Sequence, residues 1–360
     1  MSEKFYSVIV GTGSYLPTRR VANDHFLKNE FFGPDGLKLK NPNEVTIKKF
    51  QEITGISERR YVTDDLVASD IAYLAAADAL ESSKIDKESL DTIIVAHNFG
   101  DVKAGNPRSD FVPSLAARVK NKLAIANPKT VAHDLPFGCP GWLQGIIQAD
   151  YYLKSGDCRR ALVIGAETLS RISDPHDRDS MIYADGAGAT ILEARPSGQP
   201  VGILAHATRS DTLEYAYMLW MGPSYGPNHQ GNELYLKMDG HKLYEYALKT
   251  VPLVVKESVD KAGISINDVK KVLIHQANEK MDDAILKRVF KLCDAGDPPA
   301  GIMPMTISWL GNSSVATLPT MLDLITKGKM EQHQLAKGSI IVFASVGAGM
   351  NINSVVYKTV

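Results

Sequence analysis

The chain of 360 residues carries only three cysteines, Cys139, Cys158 and Cys293. Three scattered thiols exclude a disulfide framework and a cysteine-built zinc site, and they suit a reducing cytoplasm. No uninterrupted apolar run approaches the roughly 20 residues of a membrane helix. The opening "MSEKFYSVIVGTG" has no charged stretch ahead of a long apolar one, so no signal peptide is expected. Nor is there an excess of charge. Forty basic against 41 acidic side chains leave a net charge of −1, which gives no electrostatic case for nucleic acid or an anionic membrane. Hydrophobic residues at 44% and charged ones at 22% are ordinary globular values, and the length fits two domains or one large α/β unit.

What the sequence does have is alternation. Short apolar runs with turn-like or polar flanks recur at "SVIVGTG" (7–13), "DTIIVAHN" (91–98), "ALVIGAE" (161–167), "KKVLIHQ" (270–276) and "SIIVFAS" (339–345). Such runs are expected of strands buried on both faces. Helical stretches lie between them, at 69–83 and 241–262, so α/β layers follow. The turn-rich segments "FFGPDGLKLKNPNE" (31–44) and "PSYGPNHQGNE" (223–233) read as exposed loops.

Pieces of the first half return, in order, in the second. "KIDKESLDTIIVAHN" resembles "GISINDVKKVLIHQA", which sets Ile93 opposite Val272 and Ala96 opposite His275. "FGCPGWLQG" resembles "LGNSSVATL", with Cys139 opposite Asn312, and "DGAGATILE" resembles "SVGAGMNIN", with Gly186 opposite Gly347. A duplicated α/β unit is expected, divided into residues 1–195 and 196–360, with loops of unequal length. A cleft between related halves is expected to bring Cys139, His275 and Asn312 together.

Cys139 stands between Gly138 and Pro140, and Pro140 suits the first position of a helix. Trp142, Ile146, Ala149 and Leu153 then follow at helical spacing as far as Gly156. Cys139 therefore falls at a helix N-cap, where the dipole and free N–H groups lower a thiol pKa and hold an oxyanion. The plain alternative is a small buried residue. His275 ends a strand, where α/β proteins place acid–base groups, or it is a structural strand-end histidine. Asn312, at a Gly-X turn into a helix, is placed either to donate to an oxyanion or simply to cap. "SVGAGMN" (345–351) follows a strand with glycines that let backbone approach a ligand, or that merely allow a tight turn. "GTGSYLP" lacks the third glycine of a dinucleotide fingerprint and has Leu16-Pro17 where the helix would begin, so that reading is rejected. Cys158 and Cys293 have no comparable setting and are taken as structural.

The order "GCPGW", "HQAN", "GNSS" and a terminal glycine-rich strand resembles the β-ketoacyl-acyl-carrier-protein synthase III family of the thiolase superfamily. "TGISERR", "YLKSGDCRRALVIGAE", "SDPHDR" and "ADGAGATILE" resemble it too, and the likeness spans most of the chain. The resemblance implies a duplicated five-layer αβαβα sandwich, usually a homodimer. It implies Cys139 as the acylated nucleophile, with His275 and Asn312 binding the malonyl thioester carbonyl and promoting decarboxylation. Backbone N–H groups at Cys139 and in Gly347-Ala348-Gly349 match the oxyanion hole. Asn278 matches a residue that supports His275 and the pantetheine channel, and Arg178 an arginine packed on the coenzyme A adenine. Acyl thioesters and acyl carrier protein are the implied substrates and partner, with no metal or organic cofactor.

The sequence also departs from that pattern. Lys48 falls where the family has an adenine-stacking tryptophan, and Ile53 where it has a phosphate-contacting arginine. A longer segment around 31–45 precedes them, and "HNFGDVKAGNPRSDF" expands the region of the acyl-pocket gate. These changes make a carrier-bound or unusual acyl donor plausible. Three other functions compete with decarboxylating condensation. Acyl transfer to an alcohol or amine tends to alter the histidine–asparagine pair, which is kept here. Hydroxymethylglutaryl-CoA synthase-like chemistry needs a glutamate base that "IIVAHNFGD" does not offer. A non-catalytic partner subunit or lipid-binding scaffold has no need of all three residues.

Overall fold

The computed structural model describes residues 4–360. A five-stranded sheet is built from β1 (Lys4–Tyr15), β2 (Thr92–His97), β3 (Val131–Pro136), β4 (Arg160–Thr168) and β5 (Asp185–Ser197), in the order β1-β5-β4-β2-β3. A four-stranded sheet follows with β6 (Gly202–Ser210), β7 (Val269–Ile274), β8 (Ile340–Gly347) and β9 (Asn351–Lys358), in the order β6-β9-β8-β7. The two share one plan. β1 and β4 run antiparallel to β5 and β2 runs parallel to β4, just as β6 and β8 run antiparallel to β9 and β7 parallel to β8. The counterpart of edge strand β3 is the irregular segment 302–306. It is tied to β7 by the Val272 N–H on the Ile302 carbonyl (3.0 Å) and by the buried Gln276 amide, which accepts from the N–H of Thr306 (2.8 Å) and donates to the Pro304 carbonyl (2.7 Å).

The strand registers correct one of the sequence matches. Ile93 lies opposite Leu162 and Val272 opposite Val342, as the sequence pairing of Ile93 with Val272 requires. Leu162 then faces Ile191, and Val342 faces Val356. Counting back along β5 and β9, Gly186 corresponds to Asn351, four residues beyond Gly347. A Gly-Ala-Gly triplet caused the slip: in the first half it lies inside β5, in the second it forms the turn before β9.

Strands buried on both faces divide their side chains between layers. Ile93, Val95, Leu162 and Ile164 pack outward against α2 (Ala68–Ser83) and α3 (Leu115–Lys122). Val272, Ile274, Val342 and Ala344 pack outward against α5 (Gly240–Ala262) and α6 (Glu279–Leu292). The alternate residues Ile94, Val163, Leu273, Ile341 and Phe343 point inward and enclose α4 (Gly141–Ser155) and α7 (Thr317–Thr326). This is a helix–sheet–helix–sheet–helix stack; every residue of α7 but the last is buried, and α4 is buried along most of its length, as a position between two sheets demands. One more helix, α1 (Asn43–Thr54), lies outside the stack. Among the described residues no helix is long and apolar enough to cross a membrane.

Segment 31–44 is not the free loop its composition suggests. Phe31 is buried with Val21, Phe26, Ile47 and Met181. The Phe32 N–H donates to the His176 carbonyl (2.9 Å), and the Leu39 N–H to the Phe31 carbonyl (2.9 Å). One aromatic anchor and a closed turn hold this segment in place, although Pro34, Asp35, Leu37, Lys38 and Lys40 to Pro42 stay exposed.

Trp142 of α4 is 1% exposed and meets Phe343 of the second sheet edge-on at 5.7 Å. Trp142→Ala opens a cavity between the layers, and its expected cost is about 3–5 kcal/mol of unfolding free energy, measured by denaturant titration.

Candidate active site

A cavity of about 1220 Å3 runs in from the surface beside α1, and Cys139, His275 and Asn312 all line it. Asn278, Arg178, Gly347 and Ala348 line it as well. The two halves thus deliver their chemistry-bearing residues to one space, although no two of the three are neighbours in sequence.

Cys139 sits in the turn between β3 and α4. The helix N-cap is Pro140 and the first helical residue Gly141, so the cysteine stands one residue earlier than the sequence suggests. Its place is set by close backbone contact with the second half. A Cβ on Gly347 would lie 2.5 Å from the Cys139 nitrogen and 3.0 Å from its Cβ, and one on Gly138 would lie 2.6 Å from the Ala348 nitrogen. Gly347 is extended, a conformation open to any residue, so lack of space alone requires glycine there. The expected lowering of the thiol pKa is not found. Burial pushes the Cys139 thiol up to about 11, and the nearby Glu167 carboxylate adds to the rise, while the Ser314 hydroxyl opposes it with a hydrogen bond to Sγ (3.3 Å). Desolvation at the bottom of an apolar cavity outweighs the donors there.

His275 continues the β7 ladder, its N–H on the Ala344 carbonyl at 2.9 Å. His275 is 3% exposed, and its Nδ1 has no hydrogen-bond partner among the described residues. With no anion paired to it, burial pushes its pKa down to about 4, so the imidazole is neutral at physiological pH. Asn312 is held by the first half: its N–H donates to the Ile182 carbonyl (3.0 Å), and its carbonyl accepts from the Ala184 N–H (2.8 Å). Gly311 makes that clamp possible. Its backbone is at φ +68° and ψ −164°, which only glycine tolerates, and a Cβ would strike Arg59 and Ala184. The Asn312 side-chain oxygen accepts the Ser314 N–H (2.8 Å) in a local turn. Its amide NH2 makes no hydrogen bond to the described residues. Local capping and a free donor therefore coexist in one side chain.

The remaining sequence candidates fall into place less evenly. Asn278 caps α6, its Oδ1 accepting the Met281 N–H (3.1 Å), and makes no hydrogen bond to His275. Arg178 is mostly exposed at the cavity rim, where its nearest carboxylate is Asp179 at 3.6 Å. Gly349 takes φ +74° in the turn behind Ala348. Lys48 does not reach the cavity. α1 presents Thr46, Lys49, Phe50 and Ile53 to it, one helical face, and Lys48 falls on the other side. Phe32 and Leu39, from the segment before α1, complete that wall.

Sequence reasoning missed the polar groups behind the cysteine. Glu167 closes β4, is 1% exposed and accepts from both the backbone N–H (3.0 Å) and the Nδ2 (2.7 Å) of Asn98. Burial pushes its carboxyl up to about 7. Asn98 Nδ2 also donates to the Ser314 hydroxyl (3.1 Å). All three stand at strand ends or helix-entry turns, the rule that found His275 and Asn312, and "GNSS" contains Ser314 outright.

A duplicated five-layer sandwich with cysteine, histidine and asparagine around one buried cavity defines a thiolase-type acyl-condensing enzyme. Residues 133–212 match the family described as 3-Oxoacyl-[acyl-carrier-protein (ACP)] synthase III, and residues 259–359 match its C-terminal part. The chain belongs to that family and is an acyltransferase of the condensing kind. A β-ketoacyl-[acyl-carrier-protein] synthase III of Xanthomonas campestris is 30% identical over 364 residues, covering 99% of this chain and 100% of that one. The crystal structure of the synthase III of Aquifex aeolicus superposes with a TM-score of 0.77 at 28% identity, over 98% of this chain and 99% of that one. The Pseudomonas aeruginosa enzyme gives 0.79 at 26% identity, over 98% of each chain.

The buried imidazole has a measurable consequence. The folded His275 titrates near 4, against 6.5 for the ordinary side chain. Between these values the unfolded chain binds a proton that the folded protein refuses, so stability falls as pH drops through this window. The contribution is about 3 kcal/mol, and His275→Asn is expected to remove that part of the acid dependence in denaturant titrations between about pH 6.5 and 4.

Proposed function

We propose that the protein loads an acyl group onto Cys139 and condenses it with a malonyl thioester by decarboxylation. The observation that carries this reading is the convergence of Cys139, a neutral His275 and the free amide of Asn312 on one cavity. In the first step the Cys139 sulfur attacks the acyl thioester carbonyl. The carbon–sulfur bond to the donor breaks, and the thiol proton leaves with the departing thiol. Backbone N–H groups at Cys139 and in Gly347–Gly349 stabilise the oxyanion. In the second step the malonyl carboxylate departs as carbon dioxide, and its electron pair forms an enolate on the thioester. His275 and Asn312 are both neutral donors, which stabilise that enolate oxygen without holding a competing positive charge against the carboxylate. The enolate carbon attacks the acyl carbonyl, and Cys139 leaves as thiolate. No metal or organic cofactor enters this sequence.

Acyl carrier protein is the partner we propose for the malonyl group, because the relatives carry it in their names. Exposed Lys40, Lys49, Arg178 and Lys280 ring the cavity and suit the phosphate of a pantetheine arm, whether on coenzyme A or a carrier. A homodimer is proposed from the open edge of the first sheet, where Val131 of β3 is 60% exposed. The free thiols fit the cytoplasm.

Intact-protein mass spectrometry with acyl-CoA or acyl-carrier protein, then malonyl-carrier protein, tests the reaction. The expected result is a Cys139 adduct that turns over to a β-ketoacyl product and is absent in Cys139→Ala. His275→Ala and Asn312→Ala are expected to keep the adduct and lose condensation by about 100-fold or more. No adduct with any thioester, or condensation at the parental rate in both variants, would sink the proposal.

A further inference from the structure

The Cys139 side chain is half-buried on the cavity wall, and the Ser314 hydroxyl donates to its sulfur at 3.3 Å, so the orientation of that hydroxyl bears on how readily the thiol becomes a nucleophile. We propose that Asn98, anchored by Glu167, is a positioning residue that makes Ser314 a one-way hydrogen-bond donor to the Cys139 sulfur. The inference rests on the reading of Cys139 as nucleophile and adds Ser314, Asn98 and Glu167 behind it.

The direction of the chain follows from its ends. Burial raises the Glu167 carboxyl to about 7, so in the alkaline range where the Cys139 thiol titrates it is ionised and only accepts; there the 2.7 Å contact with Oε2 fixes which end of the Asn98 side chain is the amide nitrogen. That nitrogen has two hydrogens, and the second goes to the Ser314 oxygen at 3.1 Å. The serine oxygen now accepts, which leaves its single hydrogen for Sγ at 3.3 Å. Among the described residues the hydroxyl has no other acceptor, so its hydrogen goes to the sulfur. The backbone agrees. Ser314 takes a left-handed φ of +52°, unusual for a side-chain-bearing residue, and is held there by its N–H on Asn312 Oδ1. Asn98 is fixed in turn by the Glu167 contact to its own N–H, and the turn that carries it is closed by His97, whose Nδ1 accepts the Gly100 N–H at 3.0 Å. Asn98 and Ser314 line the cavity and Glu167 does not, which makes the carboxylate a rear anchor.

The charge of Glu167 works against the thiolate, so its contribution through Ser314 has to be separated from its field. His97 and Asp185 bear on Glu167, and the charge of Cys139 is felt at Tyr183; these groups stay constant across the variants below.

The test is the rate of Cys139 alkylation by iodoacetamide as a function of pH, which needs no substrate. Failure of this proposal therefore leaves the condensation reading standing, and failure of condensation leaves this measurement valid. Ser314→Ala is expected to move the pH needed for a given rate upward by about one unit, a roughly tenfold slower reaction at fixed pH. Asn98→Ala is expected to move it the same way, and the double variant no further than Ser314→Ala alone. Parental rates in Asn98→Ala, or additive losses in the double variant, would overturn the proposal. Should Asn98→Ala fail to fold, Glu167→Gln asks the same question. With Ser314 absent it can act only through lost charge, so different shifts are expected in the two backgrounds, and equal shifts overturn the proposal.

Discussion

Backbone meets backbone where the two halves join, and the chemistry depends on that contact. Gly347 and Gly138 bring the turn after β8 and the turn before α4 closer than any side chain permits. The same economy holds at Gly311, where a glycine-only conformation lets the Asn312 turn hydrogen-bond to the strand entry at 182–184. Cys139 and Asn312 are therefore located by main-chain geometry, which is stiffer than side-chain packing, and each is located by the opposite half. The middle layer of α4 and α7, sealed between two sheets, supplies the apolar burial that holds the halves together.

The electrical character of the site follows from that burial. A thiol, an imidazole and a carboxyl are all pushed toward their uncharged forms, Cys139 and Glu167 upward and His275 downward. Little net charge is stored in the resting site, so hydrogen-bond donors with fixed directions become the means of handling charge that develops on the substrate. Asn312 shows how the directions are fixed. Its oxygen is engaged by Ser314, and its NH2 is thereby presented to the cavity.

Much of this was legible in the sequence. Buried strands betray themselves as continuous apolar runs, and the runs at 91–98, 161–167, 270–276 and 339–345 each became a strand. The repeat and the turns at Cys139 and Asn312 could be read because glycine, proline and asparagine mark turns for physical reasons. What could not be read depended on three-dimensional neighbours. The sign of the Cys139 shift hangs on desolvation, which no local pattern encodes. Lys48 and Ile53 both fall at positions that contact coenzyme A in the resembled family, but helical phase turns only Ile53 to the cavity, with Lys49 and Phe50 beside it. The Gly-Ala-Gly triplets matched in sequence while serving a strand in one half and a turn in the other. Glu167 lay in plain sight at the end of "ALVIGAE", but its partners are 69 residues back along the chain and, through Asn98, a further 216 residues ahead.

The wall built by Phe32, Leu39 and α1 stands outside the five-layer stack and is fastened to it through Phe31, Ile47 and Phe50 and a few backbone hydrogen bonds. The entrance and the reacting centre are thus separable pieces of construction. The residues of this wall that face the cavity, Pro34, Leu39, Lys49 and Ile53 among them, are separate from the backbone contacts at Gly138 and Gly347 that place Cys139. A designer could treat the doorway as an interchangeable part, and the same engine could accept different cargo behind different doors.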